Sequence, residues 1–168
     1  MNPPTDSPNP VQHFMRGLIA TRPAAWLLAN TIHHLDQAVF RLSGGRTTAA
    51  ALFTGLPILT LTTTGAKSGR TRAVTLVGVP DGRNIILIAS NWGQKSNPAW
   101  YHNVRAYPRV AVSQDGQTHS YTAHELLGRE RDAAWSKAVA IYPGYRGYAA
   151  RTGGRPIPVI MLEPEAEQ

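Results

Sequence analysis

The chain has 168 residues, of which 42% are hydrophobic and 16% charged, and its formal net charge at pH 7 is +7. This length and hydrophobic content suit one globular domain with an ordinary core. Cysteine is absent, which excludes disulfides and cysteine-ligated zinc or iron–sulfur sites. The positive excess favours an acidic partner: a nucleic acid, a phospholipid surface or an anionic small molecule.

The first 45 residues divide into a tail and a helical segment. Residues 1–10 are rich in proline and polar side chains, and we expect them to be disordered. Residues 11–45 are predicted to be a helical segment: a short helix over 11–21 is broken near Pro23, and from Ala24 to Leu42 apolar side chains recur at steps of three and four. That stripe fits either a helix packed on the core or an interfacial membrane helix. Without a secretory signal or an apolar run of about 18 residues, we expect a cytoplasmic protein, with membrane association through this helix as the alternative.

A β-rich pattern follows and extends to the end of the chain. Residues 57–64 and 72–79 are rich in β-branched side chains and alternate apolar with polar ones, which predicts two strands. An Asp-Gly turn leads to residues 84–90, a nearly continuous apolar run that is typical of a buried central strand. These three strands are predicted to be joined by hairpin turns.

A short helix, a second hairpin, a longer helix and a last strand complete the pattern. Asn97 suits the N-cap of the short helix, and Pro98 suits its first position. Residues 109–126 predict the hairpin, residues 128–142 the longer helix, and residues 157–164 the last strand.

These elements predict an α+β fold. Most connections are hairpins, too short for parallel crossovers, so the sheet is expected to be antiparallel. Curling toward a barrel would relieve its edge strands. We therefore predict a disordered tail at 1–10, an N-terminal helical segment at 11–45 and a β-barrel domain with flanking helices at 46–168.

The loop between the first two strands carries more positive charge than a turn requires. It holds Lys67, Arg70 and Arg72, and the region 64–109 contains seven cations against one acidic residue, Asp81. The loop glycines let a ligand approach the backbone, and the turn can aim amides at an anion. Lysine supplies a point charge and arginine a fork suited to carboxylate or phosphate. Alone, the loop fits an anion site and a solvated hairpin tip equally well.

Two further stretches combine aromatic side chains with glycine. Trp92 and Trp100 flank a helix start whose N-terminus would favour an anion, and they offer flat faces for a ring system or cap the core. Tyr142, Tyr145 and Tyr148 recur at every third position among proline and glycine, which predicts a shaped loop. Their phenols would wall a pocket or form a packed cluster.

Side-chain catalysis has little support in the sequence. The histidines show no metal-ligand spacing, and the few carboxylates form no obvious acid–base pair. We therefore predict no metal site. Redox chemistry would have to come from a bound cofactor.

Five stretches, in order and spacing, resemble the deazaflavin-dependent nitroreductase family, whose members use coenzyme F420. They are "LTTTGAKSGRTR", "ASNWG", "NPAWYHNVRAYP", "YPGY" and "RPIPVIMLEP". The resemblance covers about residues 56–164 and implies a split β-barrel like the one that binds flavin mononucleotide (FMN) in related proteins. It also implies reduced F420 as hydride donor. That coenzyme carries a phosphate and an oligoglutamate tail, which would give the basic loop an acidic partner.

The resemblance also implies which residues form the site. The loop cations would contact the acidic tail, the segment after residue 87 would meet the deazaflavin ring partly through its backbone, and the tyrosines would line the substrate pocket. The implied coenzyme-binding residues are Lys67, Ser68, Arg70, Arg72, Ala73, Val74, Thr75, Leu76, Val77, Ile88, Ala89, Ser90, Asn91, Ala99, Trp100, Tyr101, His102 and Asn103. The implied catalytic residues are Tyr142, Tyr145 and Tyr148.

Two residues depart from the family pattern. Asn91 stands where the best-known nitroreductase members have lysine, and Trp92 stands where they have a small residue. The missing cation should weaken a contact to the phosphate or tail. The indole should narrow the substrate pocket, so this departure bears on the acceptor more than on the coenzyme.

The expected function is an F420H2-dependent oxidoreductase that passes a hydride to a quinone, with nitro compounds as adventitious acceptors. The tyrosines would orient the acceptor and hydrogen-bond the oxyanion that develops on it. One alternative is an FMN- or heme-binding barrel. Another is a nucleic-acid-binding module; the chain has no recognised motif of that class, so we predict no nucleic-acid partner.

Overall fold

Seven strands and three helices make up the part of the chain that the computed structural model describes, residues 56–165. The predicted tail and N-terminal helical segment lie outside the described residues. The strands are β1 (Ile58–Thr64), β2 (Thr71–Val77), β3 (Val79–Asp81), β4 (Asn84–Ile88), β5 (Arg109–Gln114), β6 (Gln117–Glu125) and β7 (Val159–Pro164). The helices are α1 (Ala99–Ala106), α2 (Gly128–Ile141) and α3 (Gly144–Arg151), with a 3-10 turn at Asn91–Gly93.

The sheet closes on itself at Gly78. Its strand order is β2-β1-β5-β6-β7-β4-β3, all antiparallel, so β2 and β3 lie at opposite edges. Gly78 alone separates these two strands in the chain, and the edges must therefore meet there. Its amide donates to the carbonyl of Pro57 over 2.8 Å. A Cβ at this position would overlap the side chain of Leu59, so only glycine allows the close approach. The curled antiparallel sheet confirms the predicted split β-barrel.

Alternate residues of β4 face two separate cores, as the two-residue period of a strand requires. Leu87 and Ala89 belong to an inner core that α1 closes and to which β1, β5, β6 and β7 contribute. Ile86 and Ile88 belong to an outer core under α2 and α3. Since both faces of β4 are covered, its continuous apolar run is explained. The prediction that it is the central strand is wrong: it lies between β7 and the short edge strand β3.

Two further local predictions are wrong. Tyr145 and Tyr148 lie in the helix α3 and not in a loop, because Pro143 adopts a helix-compatible φ of −59° and the burial of the aromatic rings outweighs the poor helix propensity of glycine. The short helix begins at Ala99 with Pro98 as its N-cap residue, and no side chain caps it. The Asn97 side chain accepts a hydrogen bond from a distant arginine instead.

Candidate functional site

The basic loop is a closed turn that satisfies most of its own amides. The amide of Gly65 donates to the carbonyl of Arg70 at 2.8 Å, and the amides of Ser68 and Gly69 donate back to the Gly65 carbonyl at 3.2 and 2.8 Å. The Arg70 amide donates to the Ser68 hydroxyl at 3.3 Å. The expectation that the turn aims amides at an anion is therefore wrong for these four groups. An anion held here would therefore not be held by these four amides.

Asn103 fastens this turn to helix α1. Its Oδ1 accepts from the amide of Ala66 at 2.9 Å, and its Nδ2 donates to the hydroxyl of Thr63 at 3.0 Å. The Thr63 hydroxyl in turn donates to the carbonyl of Arg72 at 3.3 Å. Asn103 is 9% exposed and both ends of its amide are engaged. Its side chain therefore positions the turn, and its direct contact with the coenzyme stays a prediction.

The cations of the turn are left free by this arrangement. Lys67, Arg70 and Arg72 are exposed, and within residues 56–165 none of them forms an ion pair. Ser68 and Ala73 are exposed beside them. Further along β2, the half-buried Val74 and Leu76 pack against the inner core, Val77 packs against the outer core, and Thr75 is half-buried.

The end of β4 leads into a strained turn. Ile88, Ala89 and Ser90 are buried, so the first two can offer a ligand little of their side chains. The next residues, Asn91 and Trp92, adopt the left-handed region with φ of 49° and 56°. Such a conformation costs roughly 1–2 kcal/mol for each non-glycine residue. Gly93 follows with φ of 78°. The side-chain amide of Asn91 donates to the carbonyl of Ser96 at 2.9 Å.

Helix α1 has a buried face and an exposed face, and a ligand can reach mainly the exposed one. Trp100 and Tyr101 are buried in the inner core, which confirms the core-capping alternative for Trp100. The Tyr101 hydroxyl donates to a carboxylate oxygen of Glu125 at 2.9 Å. Burial is the main cause that raises the pKa of Tyr101, and this hydrogen bond raises it further. His102 and Ala99 are exposed at the start of the helix.

The three predicted catalytic tyrosines come together in the outer core. Tyr142, Tyr145 and Tyr148 are 4%, 5% and 3% exposed, and their ring centroids lie 5.1 to 6.2 Å apart. The hydroxyls of Tyr142 and Tyr148 are hydrogen-bonded at 2.9 Å. Trp92 meets Tyr148 edge-on at 6.0 Å, and the guanidinium of Arg151 lies 4.9 Å from the Tyr148 ring centroid. The three tyrosines therefore form a packed cluster, and Trp92 lies at its edge.

Burial raises the pKa of all three tyrosines. For Tyr148, the neighbouring tyrosines add to the desolvation, and Arg151 opposes it. For Tyr142, the hydrogen bond with Tyr148 and the charge of Arg151 partly offset the desolvation. The phenols are therefore protonated hydrogen-bond donors at neutral pH.

The structure thus brings the predicted residues together in two groups. The basic turn and α1 are joined by Asn103, and the turn after β4 is joined to α3 by the contact of Trp92 with Tyr148. We did not predict Arg155, whose guanidinium donates to the loop that follows β4. Its sequence signal is its place at the start of "RPIPVIMLEP", a stretch that supports the family resemblance and contains the predicted last strand at residues 157–164.

Two classes of feature are not found in the described part of the chain. No group of three or more histidine, aspartate or glutamate side chains there could hold a metal ion. None of the helices between residues 56 and 165 has both the length and the apolar character needed to span a membrane.

Comparison with known proteins gives consistent matches. Residues 33–164 match the family model for F420H(2)-dependent quinone reductase. A quinone reductase of that name from Mycobacterium tuberculosis strain H37Rv is 33% identical over 131 residues, which are 76% of this chain and 87% of the relative. The solved F420-H2 dependent reductase FDR-A is 42% identical, with a TM-score of 0.59 over 64% of this chain and 94% of its own. A solved chain described as a domain-swapped dimer is 36% identical, with a TM-score of 0.61 over 84% of this chain and all of its own.

Proposed function

Since this chain belongs to the F420H(2)-dependent quinone reductase family, we propose that it catalyses hydride transfer from reduced F420 to a quinone. Membership confirms the family, the oxidoreductase class and the coenzyme that the sequence motifs predicted. The particular quinone, and the use of nitro compounds as further acceptors, are part of the proposal.

The free cations of the basic turn carry this proposal. Lys67, Arg70 and Arg72 form no ion pair within the described residues, and Asn103 holds their turn against α1. A row of exposed cations on a fixed support suits the phosphate and oligoglutamate tail that the family resemblance implies for the coenzyme. The residues present therefore fit the group. The proposed role of these three side chains is to bind and orient its acidic end.

The bound coenzyme would supply the hydride. The region of Trp92 and the tyrosines would orient the acceptor. A quinone carbonyl that receives a hydride gains negative charge on oxygen, and a protonated phenol is a suitable donor to it. Tyr142 and Tyr148 are such donors, but their hydroxyls are bonded to each other. We infer that the acceptor oxygen replaces one partner of this pair. Trp92 would exclude water from the site.

The cellular location completes the proposal. Quinones with long apolar tails lie in membranes, and the apolar stripe predicted for residues 11–45 would suit peripheral contact with such a surface. We therefore propose a cytoplasmic enzyme with membrane contact through that segment. Vesicle flotation of the full chain, compared with a chain lacking residues 1–45, tests this point. Equal flotation of the two would contradict it.

Coenzyme binding and turnover test the central proposal. We expect F420 fluorescence to change saturably on titration with the protein, and reduced F420 to be consumed when a quinone is added. A panel of quinones and nitro compounds then ranks the acceptors by kcat/KM. Absence of binding at tens of micromolar coenzyme would overturn the proposal. A flavin or heme absorption band in the purified protein would favour the alternative of an FMN- or heme-binding barrel.

A further inference from the structure

Arg155 lies between α3 and β7, and its guanidinium reaches the loop that follows β4. Its Nη2 donates to the carbonyl of Ser90 at 2.9 Å and to that of Gln94 at 3.0 Å. Its Nε donates to the same Gln94 carbonyl at 3.2 Å, and its Nη1 donates to Oδ1 of Asn97 at 2.6 Å. Longer contacts of Nη1 join the carbonyls of Ala89 and Pro156 at 3.4 and 3.3 Å. One side chain thus connects most of the loop.

The carbonyls that Arg155 binds stand on either side of the strained turn. Ser90 precedes the left-handed residues Asn91 and Trp92, and Gln94 follows Gly93. Left-handed conformations of non-glycine residues persist only where their surroundings enforce them. Within the turn, the amide of Gly93 donates to Ser90 at 3.0 Å, and that of Gln94 to Asn91 at 2.9 Å. Arg155 adds a bridge between the two ends that the turn cannot make for itself.

This left-handed turn also holds Trp92 against the tyrosine cluster. The indole meets the ring of Tyr148 edge-on, with 6.0 Å between centroids and 64° between planes. Gly93 rests on α3 so closely that a Cβ there would lie 2.9 Å from the carbonyl oxygen of Tyr148. A change in the spacing of Ser90 and Gln94 would therefore move the indole relative to Tyr148.

We propose that Arg155 is a positioning residue for the acceptor site: by bridging Ser90 and Gln94 it fixes the left-handed turn that keeps Trp92 against Tyr148. The connection to the acceptor rests on the proposed function, whereas the bridge itself does not. Arg155 acts through Trp92, and the structure shows no contact between the two side chains that would give Arg155 a direct part.

The chemistry of the bridge requires arginine. All its acceptors are neutral oxygens, and no carboxylate among the described residues pairs with it. Desolvation lowers its pKa, but a guanidinium remains charged in proteins. Its planar fork presents donors in several fixed directions at once, which a lysine ammonium cannot do. Arg155→Lys should therefore keep the positive charge but lose the bridge between Ser90 and Gln94.

Fluorine NMR of protein labelled with 5-fluorotryptophan tests the bridge without coenzyme or acceptor. The Trp92 resonance is assigned from its loss in Trp92→Phe. We expect this resonance to shift or broaden in Arg155→Gln and Arg155→Lys, while the resonance of Trp100 stays in place as an internal control for the fold. Arg83→Gln, which neutralises an exposed arginine in the β3–β4 turn, should leave every resonance unchanged. An unmoved Trp92 resonance in folded Arg155→Gln would overturn the inference.

Kinetics test the positioning role. A misplaced site group costs about 10- to 100-fold in rate, so kcat/KM for a quinone should fall by that factor in Arg155→Gln, whereas Arg83→Gln should keep the value of the unmodified protein. A shifted resonance with unchanged kcat/KM would also overturn the inference. If Arg155→Gln fails to fold, Asn97→Ala removes a further acceptor that holds the Arg155 guanidinium and should itself shift or broaden the Trp92 resonance. If the unmodified protein turns over no quinone, the proposed function fails, while the resonance still decides the bridge.

Discussion

The hydroxyl oxygens of Tyr142 and Tyr148 lie 2.9 Å apart although six residues separate them in the chain. Tyr142 immediately follows α2 and Tyr148 lies within α3, so the bond joins the two helices across Pro143 and Gly144. A Cβ at Gly144 would overlap the Tyr142 ring. The glycine therefore lets the first ring pack beneath the start of α3 and brings the two hydroxyls together.

Replacing one member of this pair should affect the acceptor and leave the coenzyme unaffected. We expect Tyr148→Phe to lower kcat/KM for a quinone by about 10- to 100-fold, since a hydrogen-bond donor to the developing oxyanion is lost. Coenzyme affinity, followed by F420 fluorescence, should be unchanged. Tyr107→Phe removes an exposed hydroxyl and serves as the control. An unaltered kcat/KM in Tyr148→Phe would exclude this phenol as the donor.

Alkaline pH should destabilise the fold through the same tyrosines. Their folded-state pKa values are raised by burial, so their contribution is fully present below the ordinary tyrosine pKa of about 10 and is lost as pH rises toward the folded values. Each tyrosine that stays protonated only when folded adds a slope of about 1.4 kcal/mol per pH unit. Urea unfolding between pH 8 and about 11 measures this slope. It should be shallower in Tyr148→Phe, and identical slopes would contradict the prediction.

The basic turn should bind the coenzyme mainly through charge. We expect Lys67→Ala and Arg72→Ala each to weaken F420 binding by about 2- to 5-fold, the range typical of exposed ion pairs. The difference should shrink between 0.1 and about 1 M salt, as the Debye length falls from about 10 to 3 Å. Arg83→Ala, an exposed cation on another turn, is the matched control. Affinities equal to that of the unmodified protein would show that the acidic tail lies elsewhere.

Asn103 should affect both stability and coenzyme binding. Truncation to alanine leaves the amide of Ala66 without its acceptor, which should lower the free energy of unfolding by about 1–3 kcal/mol. F420 affinity should also fall, because the turn is no longer held against α1. Asn84→Ala is the control, since that side-chain amide forms no hydrogen bond within residues 56–165. Equal urea midpoints for the two variants would contradict the prediction.

Closure of the barrel should depend on Gly78. Its missing Cβ leaves room for the buried side chain of Leu59, so Gly78→Ala should destabilise the fold by about 1–3 kcal/mol through overpacking. Gly147→Ala offers a comparison within α3, where a Cβ meets only Arg151 at 3.7 Å. This second change should stabilise the fold by about 0.5–1 kcal/mol. Thermal unfolding measures both changes: the melting temperature should fall in Gly78→Ala and rise in Gly147→Ala.

The parts of the fold that depend on neighbouring residues were predictable from the sequence. Alternating β-branched residues and Asp-Gly turns are local signals, and they located every described strand except β3, which was predicted as the end of one strand over residues 72–79. The helix α2 followed from its composition. The tyrosine segment was predicted incorrectly because proline and glycine are local signals against a helix, whereas the burial of three aromatic rings is a tertiary effect.

The connections within the site depend on residues far apart in the chain. Asn103 and Thr63 are separated by 40 positions, and Arg155 and Asn97 by 58. No periodicity connects such pairs. The glycine at position 78 did interrupt a strand pattern, which is a sign of close backbone approach. The two sheet edges that meet there are defined only by the complete strand order.

Closure at Gly78 has a consequence for synthesis on the ribosome. The hairpins β1–β2 and β3–β4 emerge before β5 and β7, and Gly78 joins them in the chain. In the folded sheet, however, β1 pairs with β5 and β4 pairs with β7. The two inner edges of the nascent sheet therefore stay open until those later strands are made. Because β7 (Val159–Pro164) is the last of the described strands, the gap between the hairpins can be filled only after residues 159–164 have been made. Until then, the nascent chain exposes two unpaired strand edges that could pair with other chains.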